Sequence, residues 1–374
     1  MFGVRSGTLE WVLAVVACAA CGVFALIGGA RSEPAVRKAT VAVSTSASSA
    51  APASTPAATV PTPTSAVRAS AKPRLDARRI GAITLTRTAP IRPAPDARAP
   101  LVSQVGRGIT LPVTKADGGW LQVMTPCEVT GWVRASDGTL VPAGHPTSSL
   151  ADAVFVIDPG HGGTESGALG PDGVQEEDVN LQISRRLASA LHGSRVYFTR
   201  TGHYNAGLRF RALLASTLHA DAFLSMHENS GPTTPSLRPG TQAWRQVRSA
   251  ASASIASLVW RNIYTALSRY RHVPWVANAK IGPLARPNAR GTDYYAVLRQ
   301  STVPSVIVES LFINNRFEER MLQKPDIQDV IAGATASAAK TFVTSGQAAK
   351  AKPYPVKMDR AGAGGLPTTC TDPV

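Results

Sequence analysis

The stretch Val154–Gly163, "VFVIDPGHGG", decides the fold. Three of its first four residues are β-branched, and the run carries no polar alternation. Such a run marks a strand covered on both faces, as in a parallel sheet. Pro159-Gly160 then stops the strand and turns the chain. His161 follows, set among glycines. Two readings of that loop stand open: a cradle of backbone N–H groups for phosphate, or a turn that presents an imidazole to a ligand. Neither G-x-G-x-x-G nor a Walker Lys-Ser/Thr occurs in the stretch, which ranks the phosphate reading last.

Outward from this strand the pattern alternates. "DAFLSMH" (Asp221–His227), "SRVYFTR" (Ser194–Arg200) and "VPSVIVES" (Val303–Ser310) read as further strands. "EEDVNLQISRRLASALH" (Glu176–His192) reads as a helix, because Val179, Ile183, Leu187 and Leu191 recur every fourth residue. "RFRALLASTLHA" (Arg209–Ala220) and "SASIASLVWRNIYTALSRY" (Ser252–Tyr270) read likewise. Strands alternating with helices predict an α/β domain, its mostly parallel sheet flanked by helices. Ligands bind such sheets at the carboxyl ends of the strands.

Three chemistry-bearing residues fall at such ends. His161 follows Val154–Ile157, His227 closes Ala222–Met226, and Glu309 closes Val306–Val308. Glu176 opens the helix after the first strand. Catalytic zinc takes three protein ligands from His and Asp/Glu and leaves one position free. A further carboxylate is then needed to move the proton from water to the leaving group. Each residue alone has a plainer explanation. Glu176 and Glu177 suit the first turn of any helix, a single histidine can be structural, and Glu309 can pair with a cation. His145, His192, His203, His219 and His272 have no comparable setting.

The rest of the 374-residue chain divides by composition. Residues 1–32 hold the uncharged segment Trp11–Ala30, long enough to span a bilayer. It is read as a signal-anchor, with a cleaved signal peptide or a lipidation box ending at Cys18 as alternatives. Residues 33–78 are Ala/Ser/Thr/Pro-rich, too poor in large apolar groups to fold, and read as a disordered spacer. Residues 79–142 carry short strand-like pieces at Ala82–Leu85, Thr110–Val113, Trp120–Met124 and Gly131–Val133. Asp-Gly and Gly-Gly turns separate several of these pieces, a spacing that suggests a small barrel. Residues 151–344 form the α/β domain, and residues 345–374 read as a disordered tail.

Lys and Arg number 39 against 24 Asp and Glu, a net charge of +15. That excess suits a polyanionic partner. No long basic run with interleaved aromatics and no zinc-finger spacing is present, so nucleic acid is not expected. Four cysteines do not make a disulfide framework; Cys127 and Cys370 can pair if the chain is exported, and the sequence leaves this open.

Two resemblances sharpen this reading. "APIRPAPD" (Ala89–Asp96), "VGRGITLPV", "GGWLQV" and "GWV" resemble the bacterial SH3-like domain, an all-β barrel. That family usually binds cell-wall peptide or positions a partner domain. Trp120 and Trp132 are expected in its core. The second resemblance covers about residues 151–343. "VIDPGHGG", "EEDVNL", "FLSMHENS" and "VPSVIVESLFINN", in that order, resemble zinc-dependent N-acetylmuramoyl-L-alanine amidases of the amidase-3 type. "TR" at Thr199-Arg200, "LRFR" at Leu208–Arg211 and "YYAVLR" at Tyr294–Arg299 match more weakly.

The resemblance implies one zinc ion held by His161, Glu176 and His227, with Glu309 as catalytic acid and base. It implies contact or shaping roles for Asn229 and Arg299. The implied substrate is peptidoglycan, cut between N-acetylmuramic acid and L-alanine. Another zinc-dependent peptidoglycan hydrolase, such as a peptidase, is the first alternative; a non-catalytic wall-binding or activator protein is the second. Leu311, Gln242 and Asn314 depart from the family's usual residues without removing a ligand. The segment "ENSGPTTPSLRPG" after His227 is too short and proline-rich for the blocking helix that some relatives insert there, so an open site is expected. The expected setting is extracytoplasmic. A monomer is expected there, with anionic wall polymers and, through its N-terminal segment, the membrane as expected further partners.

Overall fold

The computed structural model describes residues 75–231, 240–270, 282–356, 359, 366–367 and 369–374. The N-terminal apolar segment, nearly all of the spacer and most of the loop after Gly231 lie outside the described residues. Among the described residues no helix is long and apolar enough to cross a membrane.

The chain first forms an antiparallel region. β1 (Ile80–Leu85), β4 (Thr110–Asp117), β5 (Trp120–Met124), β6 (Thr130–Arg134) and β7 (Gly138–Pro142) make one sheet in the order β6-β5-β4-β1-β7. β2 (Ala89–Ile91) and β3 (Ser103–Val105) make a separate two-stranded ribbon, tied to β6 by a bridge between Arg92 and Trp132. Among the described residues no ladder joins β6 to β7. Where the sequence suggested a barrel, the structure has an antiparallel sheet region. Trp120 is buried as expected, whereas Trp132 is only half-buried.

The second sheet is the α/β one. Its strands are β8 (Val154–Pro159), β9 (Arg195–Phe198), β10 (Ala222–Asn229), β11 (Gln242–Arg245), β12 (Pro283–Leu284) and β13 (Ser305–Phe312), in the order β12-β11-β13-β10-β8-β9. β9, β8, β10 and β13 run parallel, and β11 is antiparallel to β13. The sheet is therefore mixed, mostly parallel. The helices are α1 (Glu176–Ala190), α2 (Leu208–Thr217), α3 (Ala250–Leu267), α4 (Ala296–Gln300), α5 (Arg316–Leu322) and α6 (Pro325–Thr344).

Both faces of the sheet are covered, which is why β8 needs no polar residue until Asp158. Phe155 and Ile157 face a core built with α1, α3 and α6. Val154 and Val156 face a second core, shared by α2 and the N-terminal sheet. The two regions pack directly: a Cβ at Gly81 of β1 would meet the Thr217 carbonyl at 2.6 Å. Glu128 also caps α2 from the N-terminal region, accepting the Arg209 N–H at 2.9 Å.

Where the sequence suggested a disordered tail, the described residues after Thr344 make specific contacts. Tyr354 is buried, donating to Asp293 at 2.7 Å, and Asp359 accepts from Arg299. Cys370 is disulfide-bonded to Cys127, and Asp372 accepts the Cys127 N–H and the Ser103 hydroxyl. Composition favours disorder here, but a covalent bond and these few directional contacts tie the described residues Tyr354, Asp359, Cys370 and Asp372 to the rest of the protein.

Candidate metal centre

β8 ends where its backbone loses strand partners, and buried carbonyls there must find donors. Two buried arginines supply them. Arg200 donates to the carbonyls of Pro159 and Gly160 at 2.9 and 2.8 Å. Arg211, from α2, donates to those of Pro159 and His161, both at 2.7 Å. Arg211 also pairs with Asp158 at 2.6 Å, and Asp158 accepts from Thr199 and Ser225. Burial opposes the charge on Asp158, but Arg211 and these hydroxyls prevail and hold its carboxyl below the usual range. The clamped turn leaves His161 at φ 60°, a left-handed conformation uncommon for a residue with a Cβ.

Three elements then bring their side chains together. The Glu176 carboxylate, at the first turn of α1, lies 3.2 Å from His161 Nε2 and 3.0 Å from His227 Nδ1. The two imidazole rings are 4.9 Å apart, edge to face. One ligand atom from each of these three residues falls within 4.8 Å of the others. Glu176 is oriented by N–H donors from Ala168 at 2.8 Å and Glu228 at 3.1 Å, and by the Asn180 amide at 3.3 Å. Burial disfavours its charge, yet the two histidines hold its carboxyl well below the ordinary range. Burial likewise opposes charge on His161, but Glu176 and, further off, Glu165 raise it. The site is packed to the backbone: a Cβ on Gly160 would lie 2.3 Å from the His227 ring.

Glu309 and His227 are register partners on β13 and β10. Both strands run past the ends expected from sequence, to Phe312 and Asn229, so Glu309 lies inside its strand. Glu309 Oε2 is buried with no hydrogen-bond partner. Burial, with the charge of Glu176, pushes its carboxyl up to about 8. Burial also pushes Glu228 well above the carboxylate range, although Ser310 and Leu311 donate to it.

These groups line a cleft of about 460 Å³, with Asn205, Tyr295 and Leu366 among its other walls. Asn229 lines it too and donates to Gln242 at 2.6 Å. Arg299 does not line it. Its guanidinium is taken up by Asp359 and by the carbonyls of Asp293 and Tyr294. Sequence reasoning did not single out Asp158, Asn180, Glu228 or Leu366. Arg211 entered only through the short "LRFR" match, where an arginine on an otherwise apolar helix face was the available signal.

The donor set of two imidazole nitrogens and one carboxylate, oriented by outer hydrogen bonds and lying beside a partnerless buried carboxylate, fits a zinc ion. Residues 155–341 match the profile of the N-acetylmuramoyl-L-alanine amidase family. The chain belongs to that family. It is a cell-wall hydrolase, and the family is zinc-dependent. The amidase is similar to the probable cell wall amidase LytH of Staphylococcus epidermidis, 26% identical over 275 residues, covering 71% of this chain and 85% of the relative. It is 31% identical over 213 residues to the AmiA amidase of Escherichia coli, covering 49% of this chain and 73% of that one. Among solved structures it is similar to AmiC2 of Nostoc punctiforme, with 30% identity, coverage of 50% and 94%, and a TM-score of 0.41.

Proposed function

We propose that His161, Glu176 and His227 hold one zinc ion and that Glu309 moves the proton in hydrolysis of the bond between N-acetylmuramic acid and L-alanine. The convergence of those three donor atoms beside Glu309 supports the assignment most directly. A bound zinc ion supplies Lewis acidity toward the scissile carbonyl and makes a nearby water more acidic. Glu309 takes the proton of the attacking water and returns it to the departing amine nitrogen. Its partnerless Oε2 leaves it free to do so. Asn229, fixed by Gln242, shapes the wall beside Glu309. Arg299 serves as an anchor for the C-terminal segment instead of a substrate contact.

We infer further that the N-terminal sheet region is SH3-like and, packed as it is on α2, positions the catalytic part. Disulfides persist in oxidising compartments, so the Cys127–Cys370 bond supports work outside the cytoplasm.

Digestion of purified peptidoglycan with and without a chelator, followed by mass spectrometry, tests the reaction. Stem peptides with a free N-terminal L-alanine are expected, and the chelator is expected to stop their release. Products cut within the stem peptide would favour the peptidase reading; binding without turnover by zinc-loaded protein would favour the non-catalytic one.

A further inference from the structure

The ladder between β10 and β13 does not run evenly. His227 pairs with Glu309, but the next aligned pair is Asn229 with Phe312. β10 thus spends two residues where β13 spends three. The extra residue is a bulge at Ser310–Leu311, immediately after Glu309. Bulges leave a ladder N–H without its strand partner and re-aim the side chains around them.

Glu228 fills this bulge. One carboxylate oxygen accepts the Leu311 N–H at 2.8 Å, and the other accepts the Ser310 hydroxyl at 2.6 Å. Glu228 is 3% exposed, so the carboxylate is held away from water. Burying an acid is costly, and a well-packed apolar side chain would avoid that cost. An apolar side chain would leave the bulge N–H without an acceptor. The Glu228 N–H meanwhile donates to Glu176. One residue thereby links the carboxylate of the metal-site candidate to the backbone that follows Glu309.

We propose that Glu228 is a positioning residue: its carboxylate holds the bulge that sets Glu309 opposite His227. This rests on the reading of Glu309 as the proton-transfer group. Displacement of a reacting group by about 1 Å can cost ~10²-fold in rate. The proposal concerns kcat; substrate binding and zinc content depend on other groups.

The test compares Glu228→Ala, Glu228→Gln, Ser310→Ala and Glu309→Gln in the full chain, measuring kcat, KM and zinc content. Glu228→Ala is expected to lower kcat by about 10- to 100-fold, with KM and zinc content near the parent values. Glu228→Gln is expected to restore most of that rate, because its amide can accept from Leu311 and donate to Ser310. Ser310→Ala, which opens little space, covers the case in which Glu228→Ala does not fold. It is expected to lower kcat by several-fold at unchanged KM. Parent kcat in Ser310→Ala and Glu228→Ala, or a Gln variant as impaired as the Ala variant, would overturn the proposal. If Glu309→Gln is inactive in that same experiment, only the role of Glu228 has failed. A fully active Glu309→Gln variant would instead remove the reading beneath it.

Discussion

Arg211 and Asp158 form an ion pair of 2.6 Å beneath the cleft, with both side chains almost wholly buried. Removing one partner of such a pair leaves an uncompensated charge, so Arg211→Met is expected to lower the unfolding free energy by about 3–5 kcal/mol. The pH dependence has a definite sign. The folded Asp158 carboxyl titrates below its ordinary 3.8, so the pair's contribution is complete above that value and fades as pH falls through the lower folded one. Urea unfolding from neutral to acid pH checks this: the gap between parent and Arg211→Met should narrow in acid. A gap that widens there would contradict it.

Metal retention separates ligands from their supports. Glu176→Ala is expected to lose zinc on dialysis. Asn180→Ala keeps the ligands but removes the amide that donates to Glu176 and to the Gly160 carbonyl, and should weaken zinc binding by about 10- to 100-fold. Competition with a chromophoric chelator measures both. Equal zinc affinity in parent and Glu176→Ala would exclude Glu176 as a ligand.

Proton transfer can be isolated from metal binding at Glu309. Replacing it with Gln keeps its volume and removes its basicity. A loss of about 10²- to 10⁴-fold in kcat is expected, with zinc content unchanged. Rate assays on a muramoyl peptide together with metal analysis distinguish this from loss of the ion.

Gly160 offers a steric test. Its missing Cβ is where the His227 ring sits, so Gly160→Ala must displace that ring. Activity is expected to fall by on the order of 10²-fold. The far-ultraviolet circular dichroism should not change, since Gly160 lies beyond the end of β8.

Much of this was legible in the sequence because it rests on local pattern. The apolar run of β8 and the four-residue spacing in α1 each reflect burial of a single element, and the structure places both where they were read. His161 and Glu176 could be named because each stands next to or at the end of such an element, whereas His227 and Glu309 were read at strand ends that the structure extends to Asn229 and Phe312. Long-range pairings were not legible. Arg211 finds Asp158 53 residues away, and no local rule selects that partner. The bulge at Ser310–Leu311 is invisible to a strand pattern, since it exists only relative to β10. Arg299 was named through the "YYAVLR" match, and its pairing with Asp359 could not be read because Asp359 lies in a segment whose composition suggested no structure. The antiparallel region was caught at four strands; β2 and β3, three residues each, were too short to read, and β7 was not singled out.

The bond between Cys127 and Cys370 joins residues 243 apart, and residues 155–341 lie wholly between them. The catalytic region is therefore a closed ring of chain. A protease that cuts one loop within the ring opens it but releases nothing, and both halves remain one covalent molecule. A single cut at the exposed Leu169, for example, leaves the enzyme undivided. Two cuts, or one cut followed by reduction, would be needed to part His161 from Glu309.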